Sequence, residues 1–262
     1  MKPILRHGDA GKNPLGRETL LRLRAEGGDG LIFGLENETL APDWQAVEAI
    51  QQLSPDDAPW SLERDGSLAE RGVETVFLPT RQPMTQFHEW LAVAKAAGMR
   101  SGTAGRYGCH ISVDSSAFTA MQGCFFAALI NGWKQIGEHV GGRECNRWAR
   151  YGLRKVTEFA HEGDKYKACS RRTKTRFEVR LFRSTVGPLR MQRYIDYVQA
   201  VADVARHETR PLINLLRLTQ RTPEGRRSTE HWTGYPRWLS LARELLPRHC
   251  SPALRAKIGG LI

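Results

Sequence analysis

Four stretches of the chain alternate apolar and polar positions with a period of two, and each predicts a β-strand. They are "LIFGLENE" (31–38), "GVETVFLP" (72–79), "GCHISVD" (108–114) and "TRFEVRLF" (175–182). In the third, His110, Ser112 and Asp114 fall on one face and Ile111 and Val113 on the other. In the fourth, Phe177, Val179 and Leu181 oppose Arg176, Glu178 and Arg180. Helical spacing marks other segments. "APDWQAVEAIQQL" (41–53) predicts a short helix, and Phe87, Trp90, Leu91 and Ala94 predict another between Pro83 and Gly98. Ser115 or Ser116 is the expected cap of a helix carrying Phe118, Met121, Phe125 and Leu129 and stopping near Gly132. Past Gly187-Pro188, the residues Met191, Ile195, Val198 and Ala202 mark an amphipathic helix.

Between the first two strands, "SPDDAPWSLERDGSL" (54–68) reads as a turn-rich connection with a hairpin signal at Asp65-Gly66. Residues 1–30, rich in Gly, Arg and Lys, predict a mobile leader. The "GDAGKN" within them lacks the glycine spacing, the preceding strand and the metal-binding hydroxyl of a phosphate loop. No repeat or low-complexity tract occurs. Strands joined by hairpins and helices, without strict βαβ alternation, predict an α+β domain with a mostly antiparallel sheet.

Composition narrows the class. With 40% hydrophobic and 26% charged residues the chain is ordinary for a soluble globular protein. No apolar run approaches the roughly 20 residues that span a bilayer, and the N-terminal residues lack a signal-peptide core. The five cysteines, an odd number without close pairs, suggest neither a disulfide framework nor a zinc site. A cytoplasmic protein is expected. The net charge of +11 is unevenly spread: Leu31–Thr80 holds ten acidic residues against two basic, whereas Arg143–Arg193 holds fifteen basic against five acidic. Such asymmetry suits nucleic-acid binding, or an active site whose acidic half holds cations and whose basic half holds phosphates.

The strand faces favour the second arrangement. Glu36 with Glu38, Glu74, His110 with Asp114, and Glu178 beside Arg180 all occupy period-two polar positions. Exposed strands ordinarily mix Lys, Thr, Ser and Glu. Here carboxylates and one imidazole dominate, a donor set suited to Mg²⁺ or Mn²⁺. Arg180 shares the face of Glu178 and offers a fork of donors to a phosphate held by the same metals, as phosphoryl transfer requires.

"FGLENE", "DGSLAERGVETVFLP", "GCHISVD" and "KYKACSRRTKTRFEVRLFRST" occur in the order seen in the amidoligase family, carboxylate–amine ligases of the glutamine synthetase-like superfamily, and over Leu31–Ala205 the chain resembles that family. The resemblance implies a curved, mostly antiparallel sheet backed by helices, the glutamine synthetase-like catalytic fold. It implies an ATP- and Mg²⁺- or Mn²⁺-dependent ligase that joins a carboxylate to an amine through an acyl phosphate, on small substrates or on a peptide or protein. Glu36, Glu38, Glu74, His110 and Glu178 match metal-ligand positions, and Arg180 matches the arginine that contacts the transferred phosphoryl group. Asp65 and Ser67 match an Asp-Gly-Ser signature. Where the family has a second histidine in His-x-His, this chain has Ser112, whose hydroxyl can contact a phosphate.

In "GRECNRWARYGLRK" a helix would align Arg143, Arg147 and Arg150 or Arg154 on one face, to meet a triphosphate or to form a solvated basic surface. Cys109 should face the core with Ile111. The expected organisation is a leader (1–30), a catalytic domain (31–210) and a basic, mostly helical extension packed on it (211–262). Two rival readings remain. One is a nucleic-acid-binding protein of a replication or mobile-element system, favoured by the charge and by Trp232, Tyr235 and Trp238 among basic residues. The other is a non-catalytic amidoligase-like binding module.

Overall fold

Alternating apolar residues become one wall of a core when adjacent strands place them in register. That happens in the first half of this computed structural model, which describes residues 5–6, 14–68, 70–103, 105–144, 146, 149–151, 166–219 and 235–262. The chain divides into two units, Met1–Ala117 with Phe182–Ile195, and Phe118–Leu181 with Asp196–Ile262.

In chain order the first unit contains β1 (Leu5–Arg6), α1 (Pro14–Glu26), β2 (Phe33–Leu40), α2 (Trp44–Leu53), β3 (Trp60–Arg64), β4 (Gly72–Phe77), α3 (Pro83–Ala96), β5 (Arg100–Ser101) and β6 (Gly108–Asp114). Its strands are ordered β1-β3-β4-β2-β6, with β5 also on β2. Only the short β1–β3 pairing is parallel among those described. The chain is α+β with a mostly antiparallel sheet, as its patterning predicts.

Register sorts the side chains. Phe33 pairs with Val113 and Leu35 with Ile111, and Trp60 pairs with Phe77. All of these are buried. Phe77 meets Trp90 of α3 edge-on at 5.8 Å, and Phe87 lies 5.3 Å from Trp90, so the helix roofs the apolar face of the sheet. Full burial of each such side chain is worth about 1.5–3 kcal/mol. Asp43 caps α2 by accepting from the Ala46 N–H at 2.8 Å, and the face it leads into buries Ala46, Val47 and Ile50.

Three segments differ from their sequence patterns. Residues 54–68 contain β3, because Trp60 and Leu62 alternate with Ser61 and Glu63 in a run too short to stand out beside its flanking Pro and Asp residues. Ser116 does not cap a helix. It hydrogen-bonds Asp114 through hydroxyl and backbone, and Thr119 instead forms a capping box with Gln122 at the start of the next helix. Within the polar first thirty residues, Pro14–Glu26 is helical. Arg81 donates to the carbonyls of Leu23 at 3.0 Å and Gly27 at 2.7 Å, supplying donors that a helix end lacks. Arg24 of the same helix is paired with buried Asp114.

Residues 182–195 return to this unit. The Asn37 side chain donates to Thr185 O at 2.9 Å and accepts from its N–H at 3.3 Å, while Ser184 Oγ accepts from Gly102 N at 3.2 Å. Gly102 admits no side chain: an added Cβ would lie 2.0 Å from Cγ of buried Tyr107. Gly102→Ala is therefore expected to destabilise the protein by about 1–3 kcal/mol, read as a lower urea midpoint at unchanged slope.

The second unit comprises α4 (Ala120–Gly132), α5 (Lys134–Gly141), β7 (Cys169–Thr173), β8 (Arg176–Arg183), α6 (Pro188–His207), α7 (Thr209–Thr219), α8 (Tyr235–Arg243) and α9 (Pro252–Ile258), the chain changing units within β8 and α6. Helix α4 is buried from Gly123 to Asn131, consistent with its nearly continuous apolar sequence. Phe125 stacks on Trp238 at 5.7 Å, and the Trp238 indole donates to Leu212 O at 3.1 Å. Among the described residues no helix is long and apolar enough to cross a membrane.

Candidate active site

The sheet face opposite α3 is polar for the reason its other face is apolar: every second residue turns towards it. On β2, Glu36 pairs across β6 with His110, and Glu38 pairs across β4 with Glu74. Glu74 in turn pairs across β3 with Glu63. Four adjacent strands thus carry four carboxylates and one imidazole on one face. Glu63 and Glu74 are each only 2% exposed, and Glu38 and His110 are also buried.

His110 joins the pieces. Its Nδ1 lies 3.3 Å from Glu36 Oε2 and its Nε2 3.9 Å from Glu38 Oε1. One donor atom from each of Glu38, Glu74 and His110 falls within 4.8 Å of the others. The other oxygen of Glu38 accepts from the Gly108 N–H, which fixes the carboxylate's direction. Burial, then repulsion from Glu36, Glu38, Asp65 and Glu63, pushes the Glu74 carboxyl from 4.5 up to about 9. At neutral pH this carboxyl therefore holds a proton. Two carboxylate oxygens and one imidazole nitrogen fit a hard or borderline divalent ion.

The sequence motifs brought Glu36, Glu38, Glu74 and His110 to one face, with Ser112 two residues further along it. Glu63 was missed. Its signal was present in the alternation of Trp60-Ser61-Leu62-Glu63 just before Asp65-Gly66. Asp114, the last polar residue of "GCHISVD", does other work. Burial acts to raise its pKa, but hydrogen bonds from Arg24 and Ser116 outweigh that and hold the carboxyl below its ordinary value. Cys109 is fully buried on the core side and its thiol is pushed up by burial, so it is no nucleophile.

Glu178 and Arg180 lie in the second unit, on β8. Arg180 Nη1 donates to Glu178 Oε1, and Arg176 Nη2 stands 3.8 Å from Oε2. Glu178 is 1% exposed. The basic segment after α5 is not a helix where it is described. Asn146 and Ala149 form a bridge, and Arg150 bridges to Lys167, its N–H donating to Tyr166 O at 2.7 Å. Gly142 in the left-handed conformation (φ 62°) ends α5 just ahead of it. Buried Arg143 reaches the Arg180 carbonyl at 3.4 Å, while Arg150 is exposed. Arg147, Arg154 and Trp232 lie outside the described residues. Trp238 belongs to the core, which removes it as a base-stacking platform.

No family model matches the chain, and no curated protein matches it. Among solved structures it is similar to the complex between the prokaryotic ubiquitin-like protein Pup and its ligase PafA, with a TM-score of 0.40 and 11% sequence identity. The similarity covers 89% of this chain and 66% of that one, so the chain spans about two thirds of that structure's length.

Proposed function

We propose that the chain is an ATP-dependent carboxylate–amine ligase that forms an amide or peptide bond by way of an acyl phosphate. The supporting observation is the trio Glu38, Glu74 and His110, whose donor atoms gather within 4.8 Å on one buried sheet face. Sheet faces rarely bury unneutralised carboxylates side by side, because like charges out of water oppose folding. A bound Mg²⁺ or Mn²⁺ would supply neutralisation of the nucleotide phosphates and of charge developing on the transferred group. Glu36, hydrogen-bonded to His110 Nδ1, would fix the ring so that Nε2 faces the cation.

On this reading the motif residues of β8 serve the same chemistry, Glu178 as a further ligand and Arg180 as the donor to the phosphoryl group. Ser112, Arg147 and Arg150 are the proposed nucleotide contacts. The acceptor is a carboxylate, free or on a peptide or protein, and the second substrate is an amine. Positioning and fixed charges would supply most of the rate, without covalent protein chemistry. Four buried free thiols, Cys109, Cys124, Cys169 and Cys250, suit a reducing compartment such as the cytoplasm.

An ADP-release assay with Mg²⁺ or Mn²⁺ against a panel of amino acids and peptides tests the reading. The expected result is release that needs both a carboxylate and an amine, and that EDTA abolishes. Metal-independent release, or tight binding of nucleic acid with none, would remove the ligase assignment.

A further inference from the structure

The hairpin of β7 and β8 holds a hydroxyl with nothing to bond among the described residues. Ser170 pairs directly with Glu178 across the hairpin, so the two side chains share a face. Ser170 is fully buried, and its Oγ has no hydrogen-bond partner among the described residues. Buried hydroxyls are ordinarily partnered, and one that is not invites an explanation. Residues directly opposite on antiparallel strands have Cβ atoms about 4.5–5.5 Å apart, close enough for a χ1 rotation to bring the hydroxyl to the carboxylate. In the structure that carboxylate is engaged instead by Arg180 on one oxygen, with Arg176 facing the other.

The Arg180 side chain is only partly covered, at 16% exposed, whereas that of Glu178 is 1% exposed. Arg180 can turn to a ligand, and Glu178 cannot follow it to water. The oxygen of a buried carboxylate that loses its charged donor needs another, even where a cation holds the carboxylate's other oxygen. A hydroxyl meets that need without adding charge, leaving the whole guanidinium charge for the anion. We propose that Ser170 is a positioning residue, whose hydroxyl takes over the Glu178 carboxylate when Arg180 swings to a phosphoryl group. The proposal rests on the ligase reading for the identity of that anion, but the exchange of donors is a property of the hairpin itself.

The test is a double-mutant cycle on the ligand-free full chain, with Ser170→Ala in the wild-type background and in Arg180→Met, which has no donor. In wild type, where the hydroxyl is idle, Ser170→Ala should leave the melting temperature unchanged or slightly higher. In Arg180→Met, where the hydroxyl is already recruited, it should lower the melting temperature by about 3 °C or more. Equal effects in the two backgrounds would overturn the proposal. A second arm measures Mg²⁺·ATP affinity. Ser170→Ala should weaken it by about tenfold and Ser170→Thr, which keeps the hydroxyl, should restore it to near wild type. Unchanged affinity in Ser170→Ala would also overturn it. If wild type binds no Mg²⁺·ATP, the ligase reading falls, while the ligand-free cycle still decides whether the hydroxyl is the reserve donor.

Discussion

Arg180→Lys is expected to lower ADP release by about 100-fold or more while changing nucleotide affinity far less. Lysine keeps the charge, so its ammonium can still pair with Glu178 across the two-residue spacing. It cannot reproduce a planar fork that holds two oxygens of a transferring group at once. Charge grows on those oxygens mainly as the phosphoryl group moves, so the loss belongs in kcat rather than in binding. The Arg180–Glu178 contact raises a competing outcome, since breaking a buried pair destabilises the fold. Melting temperature separates the two. A variant that melts early and binds ATP poorly would make Arg180 a structural residue, and a stable, fully active one would deny it either role.

Metal affinity is expected to rise by about tenfold per pH unit between pH 6 and 8, because binding must displace the Glu74 proton. The sign follows from the carboxyl's shift from 4.5 to about 9. Between those values the folded, metal-free protein holds a proton that the unfolded chain has released. Metal-free stability therefore falls as pH rises through that window, and a divalent cation offsets the fall increasingly at higher pH. Glu74→Gln removes both effects. Without metal the variant should melt higher than wild type at pH 8, on the order of 5 °C, and gain nothing from Mg²⁺. Calorimetric scans at pH 6 and 8, with Mg²⁺ or EDTA, measure all four combinations. A wild-type melting point indifferent to Mg²⁺ at pH 8 would count against the cation site.

Much of the first unit was legible because two periodicities coincide in it. In "FGLENETL" and "GCHISVD" the apolar positions Phe33, Leu35, Ile111 and Val113 pair in register and are buried, so the polar ones share the opposite face, and Glu36, Glu38 and His110 fall into place from spacing alone. Glu63 was hidden for a local reason. Its strand has five residues, lies between Pro59 and Asp65-Gly66, and becomes a strand by pairing with β4 on one side and β1 on the other. That pairing is a long-range event that no short window contains. The arginines after α5 misled in the opposite way. Their three- and four-residue spacing fits a helix, but Gly142 turns the chain left-handed ahead of them, and backbone bonds to residues 166–168 satisfy Arg150. Ser116 looked like a cap because serine commonly is one, yet the carboxylate of Asp114 competed for it more strongly.

The Arg24–Asp114 pair bears on where the chain can be cut. A shortened protein starting at Leu31 would discard a segment that looks dispensable by its polar composition, and with it the guanidinium that offsets the buried carboxylate at the end of β6. Ser116 would remain as a donor, but the Arg24 hydrogen bond, the foremost influence that lowers the Asp114 pKa, would be lost. The intact protein draws on this carboxylate above its lowered pKa and loses that support in acid. The shortened one would keep only the Ser116 donors on Asp114, so the support this carboxylate gives at neutral pH would shrink. Helix α1 thus behaves as a counter-ion delivered by the chain itself, and a boundary drawn at Leu31 would take a stabilising charge from the strand that carries His110.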